Sequence, residues 1–337
     1  MGGILDYLKE LGMQVDSLIK EALLSETSDE FKDIVLHQVE TGGKRVRPAL
    51  AILSCLACGG SIERALPIAA AIELIHEYSL IFDDIIDRGE IRRGKPTVRK
   101  LYGDVMALLA GIHYRESISE LVNRSWKAPT LHELVARTIK KIVEGERLDV
   151  LFEQAGRSDD YIIKHRYTQV SLEDYFKMIE YKTAALIEAA CVAGAIVADA
   201  PHEWLEALKD YGRKIGLAFQ LIDDLLDIFG EEKVFGKKVG KDIIEHKLGN
   251  AVILMSLEEL PETDRNALLA ILRKDKIEGD DVRRAIEIIS KTRARKRVYE
   301  LARKLVDEAK GSLQILPVSE ARRKLLELAD FIVERKF

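Results

Sequence analysis

The fold is decided by residues 63–87, which read ERALPIAAAIELIHEYSLIFDDIID. Apolar side chains in this stretch recur at i, i+3, i+4 and i+7, which is the spacing of one face of an α-helix. Polar interruptions are so few that most sides of the helix are apolar, and such a helix is usually central in its domain. The stretch ends in the acidic run FDDIID. We therefore predict a buried helix with a carboxylate cluster at its C-terminal end.

A second stretch has the same design. Residues 203–229 read EWLEALKDYGRKIGLAFQLIDDLLDIF and again end in an acidic run. Helical spacing recurs along the whole chain, whereas the period-two pattern of strands is hard to find. Thr130-x-x-Glu133 and Ser171-x-x-Asp174 resemble capping boxes and predict two helix starts. No Gly/Ser/Pro-rich linker divides the chain, so we expect an all-α protein in which residues 1–337 form a single domain.

Composition excludes several classes of protein. The 337 residues carry a net charge of −5, so no global positive field attracts nucleic acid. Three cysteines cannot form a disulfide framework, and their odd number suits a reducing compartment. We find no uninterrupted apolar stretch of the length of a membrane span, and the sequence MGGILDYLKELG does not resemble a signal peptide. We therefore expect a cytoplasmic protein without a membrane span and without a nucleic-acid partner.

The two acidic runs have the same internal spacing. An α-helix turns by about 100° per residue, so Asp83 and Asp87 lie only about 40° apart on one face. Asp223 and Asp227 are related in the same way, and Gln220 continues their stripe. Carboxylates on one face repel each other, and the helix macrodipole disfavours negative charge at a C-terminal end. A cation is therefore expected at each cluster.

A single DDxxD pattern is often only a solvated helix end, and the chain supplies its own comparison. Asp159-Asp160 and Asp280-Asp281 are also paired, but neither is followed by a third aspartate at the fifth position. Two complete patterns that each close a long apolar helix favour Mg²⁺ sites, because Mg²⁺ prefers oxygen ligands and completes its shell with phosphate oxygens and water. Two opposed clusters suggest a diphosphate held between them through metal ions.

Basic residues accompany these clusters in three groups. The first lies on the glycine loop TGGKRVRP at residues 41–48, just before a predicted helix, where glycine backbone and a helix N-terminus both favour an anion. The second follows FDDIID at once in DRGEIRRGKPT, and the third lies in GKKVGKDIIEHKLGN beyond the second cluster. One metal-bound diphosphate needs fewer cations than this, so we predict a second phosphorylated substrate that is bound without metal. The cations are Lys44, Arg45, Arg47, Arg88, Arg92, Arg93, Lys237, Lys238, Lys241 and Lys247.

These motifs occur in the order and approximate spacing found in the trans-isoprenyl diphosphate synthases. The chain resembles that family in GGKRVRP, in DDIID followed by RRGKPT, in YKT at residues 181–183, in FQLIDD and in GKKVGKD. The resemblance implies a helical bundle around a deep apolar cavity, a homodimer, and Mg²⁺ as cofactor. It implies that isopentenyl diphosphate is condensed with an allylic diphosphate (dimethylallyl, geranyl or farnesyl) after metal-assisted loss of the allylic leaving group.

Site residues follow from the resemblance, position by position. It makes Asp83, Asp87 and Asp223 direct metal ligands, and Asp84, Asp224 and Asp227 their supports or ligands through water. It assigns isopentenyl diphosphate to Lys44, Arg47, His76 and Arg93. It assigns the allylic diphosphate to Arg92, Lys182, Gln220, Lys238 and Lys247, with Thr183 near the developing cation.

Product length depends on a different position. In the family a bulky residue five places before the first aspartate closes the floor of the cavity, and here that residue is Tyr78, followed by the small Ser79. The chain thereby resembles archaeal-type geranylgeranyl diphosphate synthases, with a farnesyl or bifunctional farnesyl/geranylgeranyl enzyme as the alternative. Tyr78 could also be an ordinary core aromatic, since an ideal helix places Ser79 directly below Asp83. The chain departs from the family at Ile112, where aspartate is common, and at Phe82, where histidine is frequent.

Four other interpretations compete with this one. A terpene cyclase shares the first aspartate cluster, but it has a different second metal site and needs no GGKRVRP loop. A carboxylate-bridged di-iron bundle uses two Glu-x-x-His motifs, whereas this chain has only Glu73-x-x-His76. A non-catalytic subunit would be expected to lose part of an aspartate cluster. Cys55-x-x-Cys58 lacks the second pair of a zinc site, so core packing is favoured there.

Overall fold

Helices form nearly all of the regular structure, which confirms the predicted all-α class. The computed structural model describes residues 3–230 and 239–334. Within these ranges the strands are β1 (Ile91–Arg92) and β2 (Lys95–Pro96), which pair as one short antiparallel hairpin. The first helices in chain order are α1 (Ile4–Gly12), α2 (Asp16–Leu24), α3 (Asp29–Glu40), α4 (Val46–Ala57), α5 (Ile62–Ile86), α6 (Val98–Asn123) and α7 (Ala128–Phe152).

The remaining helices follow the same pattern, with one irregular turn. A π-helical turn, Glu180–Ala184, separates α9 from α10. The helices are α8 (Asp160–His165), α9 (Leu172–Ile179), α10 (Ala185–Val197), α11 (His202–Phe229), α12 (Lys241–Ile244), α13 (Ala251–Glu259), α14 (Glu262–Leu272), α15 (Gly279–Ser290), α16 (Ala294–Ser312) and α17 (Glu320–Glu334).

The two long apolar helices are confirmed almost to the residue. α5 and α11 begin one position before the predicted starts, and α5 ends one position earlier than expected. The capping box predicted at Ser171 is present and opens α9, because the Ser171 hydroxyl accepts from the Asp174 amide while the Asp174 carboxylate accepts from the Ser171 amide. The start predicted at Thr130 is wrong, since α7 already begins at Ala128.

The described chain divides into two compact units. One comprises Met1–Ile139, Leu186–Gly212 and Ser312–Leu328, and the other comprises Lys140–Ala185, Arg213–Gly311 and Ala329–Phe337. The expectation of a single domain around a deep cavity stays a prediction.

α5 is the core helix of the first unit and packs against both α4 and α6. α5 is long and apolar enough to span a membrane, but 61% of its most apolar 18-residue segment is buried within the protein. α10 also approaches α4 closely, since a Cβ at Gly194 would lie 2.3 Å from the carbonyl oxygen of Ala51. Gly194 in α10 therefore allows dense packing against α4, which itself packs against α5.

Candidate active site

The three aspartates of the first cluster, at the end of α5, differ in burial. Asp84 is buried, and its carboxylate accepts two parallel hydrogen bonds from Arg92, from Nε at 2.9 Å and from Nη2 at 2.8 Å. Asp83 is partly exposed and Asp87 is exposed. A bidentate arginine pair is a strong, oriented contact. Arg92 therefore neutralises the buried member of the cluster, while the other two carboxylates lie nearer the surface.

The glycine loop divides its cations between the interior and the surface. Arg45 adopts a left-handed backbone conformation with φ of 50°, and its side chain is buried. Its guanidinium donates to Asp16 at 2.9 Å and to Glu73 at 2.9 Å. Burial, and then the charge of Glu77, raises the pKa of Glu73 to about 7, although the positive charge of Arg45 opposes the shift. Arg45 is therefore an internal anchor for the loop.

Arg93 and His76 lie beside this anchor. Arg93 donates to Glu77 at 2.9 Å, to the Thr41 hydroxyl at 3.3 Å and to the carbonyl oxygen of Gly42. Burial, together with positive charge from Arg47 and then Arg93, holds the pKa of His76 well below its usual range. The structure therefore brings three residues assigned to isopentenyl diphosphate into one electropositive neighbourhood. Lys44, the fourth, is exposed on the same loop.

Glu73 and His76 are the residues on which a di-iron interpretation would depend. Glu73 is ion-paired with Arg45, and no group of three or more His, Cys, Asp or Glu side chains is arranged to hold a metal within residues 3–230 and 239–334. A carboxylate-bridged iron centre requires such a group. The aspartate clusters of the described residues are not such groups either, but they offer oxygen ligands, and Mg²⁺ needs only one or two carboxylates beside phosphate oxygens and water.

Tyr78 and Ser79 lie one turn before the first cluster. The Tyr78 ring packs on Phe82 with centroids 5.0 Å apart, and the Ser79 hydroxyl donates to the carbonyl oxygen of His76 at 2.8 Å. Phe82 in turn fits against Gly111, where an added Cβ would lie 2.3 Å from the ring. The two departures from the family pattern therefore have different surroundings, because Phe82 is packed against Gly111 while Ile112 is exposed.

The second cluster lies at the end of α11 and has its own internal partners. Asp224 is buried and accepts hydrogen bonds from the Tyr175 hydroxyl at 2.8 Å, the Gln220 amide at 3.0 Å and the backbone N–H of Ala251 at 2.7 Å. Burial, and then the charge of Asp242, raises the pKa of Asp224 well above its usual range. Asp224 therefore joins three segments of the second unit.

Asp227 is also engaged by the backbone, whereas Asp223 is partly exposed. The two carboxylate oxygens of Asp227 accept from the amides of Lys241 and Asp242, both at 3.1 Å. Burial, followed by the charge of Asp242, raises the pKa of Asp227 to about 7. The order expected from the resemblance, with Asp223 as ligand and its neighbours as supports, is compatible with these contacts.

Lys182 and Lys247 meet at one buried carboxylate. Asp149 on α7 accepts from Lys182 at 2.6 Å and from Lys247 at 3.0 Å, and Lys182 also pairs with Glu146 at 2.6 Å. Burial opposes ionisation of Asp149, but the two ammonium groups outweigh it and hold the pKa of Asp149 below its usual range. The structure therefore brings together two lysines that are 65 positions apart in the sequence.

Thr183 connects this group to the second aspartate cluster. It follows Lys182 in the π-helical turn, a geometry that is frequent at functional sites. Its hydroxyl donates to the side-chain oxygen of Gln220 at 2.9 Å, and Gln220 donates onward to Asp224. Within the second unit Lys182, Thr183, Gln220 and Lys247 therefore form one connected group with the cluster. Lys238, also assigned to the allylic diphosphate, lies outside the described residues.

Sequence reasoning missed the anionic partners of these cations. Glu146 and Asp149 are spaced i, i+3 on α7, and that spacing was the available signal. Tyr175 lies in a polar, tyrosine-rich stretch for which the sequence suggested no role, and the structure places its hydroxyl on Asp224. Asp242 follows Lys241 in a basic segment, so its proximity to the second cluster was hidden among lysines.

Comparison with known proteins identifies the family. The Polyprenyl synthetase family model matches residues 28–289. The chain is 40% identical to the short chain isoprenyl diphosphate synthase of Methanothermobacter thermautotrophicus, with 99% of both chains covered. It is 32% identical to the geranylgeranyl diphosphate synthase of Methanosarcina mazei, over 99% of this chain and 98% of that protein.

The chain is also similar to a solved structure of a geranylgeranyl pyrophosphate synthetase. Geranylgeranyl pyrophosphate synthetase from Pyrococcus horikoshii superposes with a TM-score of 0.89 at 36% identity, covering 99% of this chain and 98% of that one. The resemblance to archaeal-type geranylgeranyl diphosphate synthases and the expected class of enzyme, a trans-prenyltransferase, are confirmed. The chain belongs to the polyprenyl synthetase family.

Proposed function

We propose that this protein is a Mg²⁺-dependent prenyltransferase that condenses isopentenyl diphosphate with an allylic diphosphate to give geranylgeranyl diphosphate. The observation that carries the proposal is that each aspartate cluster has a buried member held by the protein, Asp84 by an ion pair with Arg92 and Asp224 by three hydrogen-bond donors. The protein thereby stabilises each acidic helix end, and the carboxylates of Asp83, Asp87 and Asp223 lie nearer the surface, where a cation can reach them. Diphosphates are commonly bound by arginine and lysine beside Mg²⁺ ligands of this type.

The allylic diphosphate is the substrate that we assign to the metal-binding residues. Asp83, Asp87 and Asp223 would hold Mg²⁺, which when bound supplies positive charge to the departing diphosphate. Lys182, Lys247 and Gln220, together with Arg92 and Lys238, would hold the diphosphate itself. Preorganised donors of this kind stabilise the charge that develops on a leaving group, an electrostatic effect often worth several kcal/mol.

Isopentenyl diphosphate is assigned to the cations around the glycine loop. Lys44, Arg47 and Arg93 supply the charge, and His76 has a pKa that leaves it neutral at pH 7, so it can donate one hydrogen bond without adding charge. This substrate needs no metal, because it keeps its diphosphate during the condensation. Its double bond attacks the allylic carbon, and loss of a proton completes a product that is one isoprene unit longer.

Thr183 is assigned to the reacting carbon, and Lys182, which we also count as catalytic, to the departing diphosphate. No protein nucleophile is needed, since the new bond forms between the two substrates. The oxygen atoms of the π-helical turn can stabilise a developing positive charge, and the apolar helices adjoining both clusters would exclude water from it.

The direct test is incubation with isopentenyl and dimethylallyl diphosphates plus Mg²⁺, with the product identified by mass spectrometry. We expect Asp83→Asn and Asp223→Asn each to lower turnover by about a hundredfold or more while the far-UV circular dichroism stays unchanged, because a metal ligand is lost. Asp280→Asn is the control, since Asp280 is exposed and lies outside both patterns. Turnover near the wild-type value in both cluster variants would contradict the metal assignment.

Control of the length of the prenyl product is assigned to Tyr78, with the small Ser79 beside it. The Tyr78 ring is half-buried and packs on Phe82, which fits a side chain that limits the growing product. The relatives named for geranylgeranyl products support this length, and release of a farnesyl product remains the alternative.

We predict that Tyr78→Ala lengthens the main product by at least one isoprene unit, because removal of the ring extends the space for the chain. Tyr78→Phe is the matched control and should keep the wild-type product, since it retains the ring. Chromatography of the dephosphorylated alcohols measures both. An unchanged distribution of product lengths in Tyr78→Ala would show that Tyr78 does not limit product length.

A second copy of the chain is the expected partner, and α6 offers a surface for it. Six large apolar side chains on α6 are exposed, with Val105 66% and Ile112 58% accessible. We call this surface the α6 apolar face, and its residues are Leu101, Tyr102, Val105, Leu108, Leu109 and Ile112. An exposed patch of this kind marks an interaction site. Residues 101–112 contain no lysine or arginine, so the face itself carries no positive charge.

We predict that Val105→Asp converts the homodimer to a monomer, because it would bury a pair of charges at a self-complementary face. Sedimentation velocity gives the oligomeric state. Val318→Asp is the control, since Val318 is 94% exposed and lies outside the α6 apolar face. A Val105→Asp variant that sediments like the wild type would contradict the assignment of this face.

A cytoplasmic location stays a prediction. It is supported by Cys55, Cys58 and Cys191, which are all buried and in the thiol form. Burial raises the pKa of Cys55 to about 11 and that of Cys58 to about 12, so both are unreactive core residues and the zinc or redox interpretation loses its basis.

A further inference from the structure

Glu77 is a buried charge in the middle of a functional helix. It lies on α5 next to His76 and six residues before Asp83, and its side chain has no exposed surface. Burying a carboxylate is unfavourable unless its charge is paired and its oxygens are hydrogen-bonded. The contacts of Glu77 therefore indicate what the charge is for.

Both oxygens of Glu77 are engaged. Oε1 accepts from Arg93 Nη1 at 2.9 Å and, at a longer 3.4 Å, from Arg45 Nη1. Oε2 accepts from the side-chain amide of Gln38 at 2.8 Å. Glu73 and Asp16 pair with Arg45 but not with Arg93 among the contacts of the described residues. Of the two arginines that donate to Glu77, Arg93 lies closer.

Arg93 reaches Glu77 from a strained turn. It lies between β1 and β2 with φ of 52°, a left-handed conformation that is unusual for arginine. The same Nη1 atom donates to the Thr41 hydroxyl and to the carbonyl oxygen of Gly42. A Cβ at Gly43 would lie 3.3 Å from the guanidinium carbon of Arg93, so the glycine loop and the arginine are in close contact.

Electrostatics and geometry make opposite predictions for this glutamate. A carboxylate 2.9 Å from a cation weakens the attraction of that cation for a second anion, so charge alone would favour removing it. Anchoring one nitrogen of a planar guanidinium, by contrast, restricts the orientation of its remaining donors and lowers the entropy lost when an anion binds. Arg93 keeps 25% of its side chain exposed, so it is held without being enclosed.

We infer that Glu77 is a positioning residue for isopentenyl diphosphate, which orients Arg93 against the glycine loop Thr41–Pro48. The inference rests on the proposed function, because it uses the assignment of Arg93 to that substrate. Among the described residues Glu77 is hydrogen-bonded to Gln38, Arg45 and Arg93. Of the residues assigned to the allylic diphosphate, its charge acts on Arg92, but no hydrogen bond joins the two side chains.

The test is steady-state kinetics of Glu77→Gln with each substrate varied in turn. We expect the KM for isopentenyl diphosphate to rise about tenfold while the KM for the allylic diphosphate changes less than about twofold. Lys95→Ala is the matched control, because Lys95 is another cation of the hairpin that binds the end of α3, through the carbonyl oxygen of Glu40. Both KM values should stay unchanged in that variant.

A KM for isopentenyl diphosphate that stays the same or falls would overturn the inference, as would an equal rise of both KM values. Thr41→Val gives a second measurement if Glu77→Gln does not fold. It removes one contact of Arg93 and should raise the same KM about threefold, and no rise there would also overturn the inference. Failure of the proposed function is distinguishable, because the wild-type protein would then form no condensation product.

Discussion

Carboxylates at the C-terminal ends of buried helices repel one another and oppose the helix dipole, and the arrangement of this protein depends on how that cost is offset. At the end of α5 the offset is a bidentate arginine, because Arg92 covers both oxygens of Asp84. At the end of α11 it is a set of neutral donors, since Asp224 accepts from a hydroxyl, an amide and a backbone N–H. Each helix end is thereby stable enough to present further carboxylates near the surface.

Buried carboxylates hold the cations, just as Arg92 holds Asp84 at the end of α5. Asp149 binds both Lys182 and Lys247, and Glu77 binds Arg93, so three cations assigned to diphosphate are each paired with a buried anion. Such pairs contribute orientation more than net stability, because desolvation offsets much of the Coulomb attraction. Cations that are fixed in this way lose little entropy when they bind a polyanion.

Local patterns in the sequence predicted what local physics controls. α5 and α11 follow from apolar spacing over more than twenty residues, and the α9 capping box follows from two residues three positions apart. Arg45 shows the limit of this reasoning. It reads as one more surface cation in GGKRVRP, but contacts with Asp16 and Glu73 from other helices place it in the interior.

Long-range partners could not be predicted in this way, since their proximity depends on tertiary packing. Asp149 lies 33 and 98 positions from the two lysines that it binds, and Tyr175 lies 49 positions from Asp224. The π-helical turn at Lys182 was also invisible, because no spacing rule distinguishes one extra residue in a helical turn. Motif resemblance named several of these cations, but only the structure supplied the anions that hold them.

The central claim is that diphosphate binds this protein through divalent cations held by the aspartate clusters. Calorimetric titration of inorganic diphosphate into the wild-type protein, with Mg²⁺ and then with EDTA in its place, tests that claim most directly. The account predicts binding at least about a hundredfold tighter with Mg²⁺, which corresponds to about 2.7 kcal/mol. Equal affinity in the two titrations would contradict it, since the lysines and arginines would then bind diphosphate without the carboxylates.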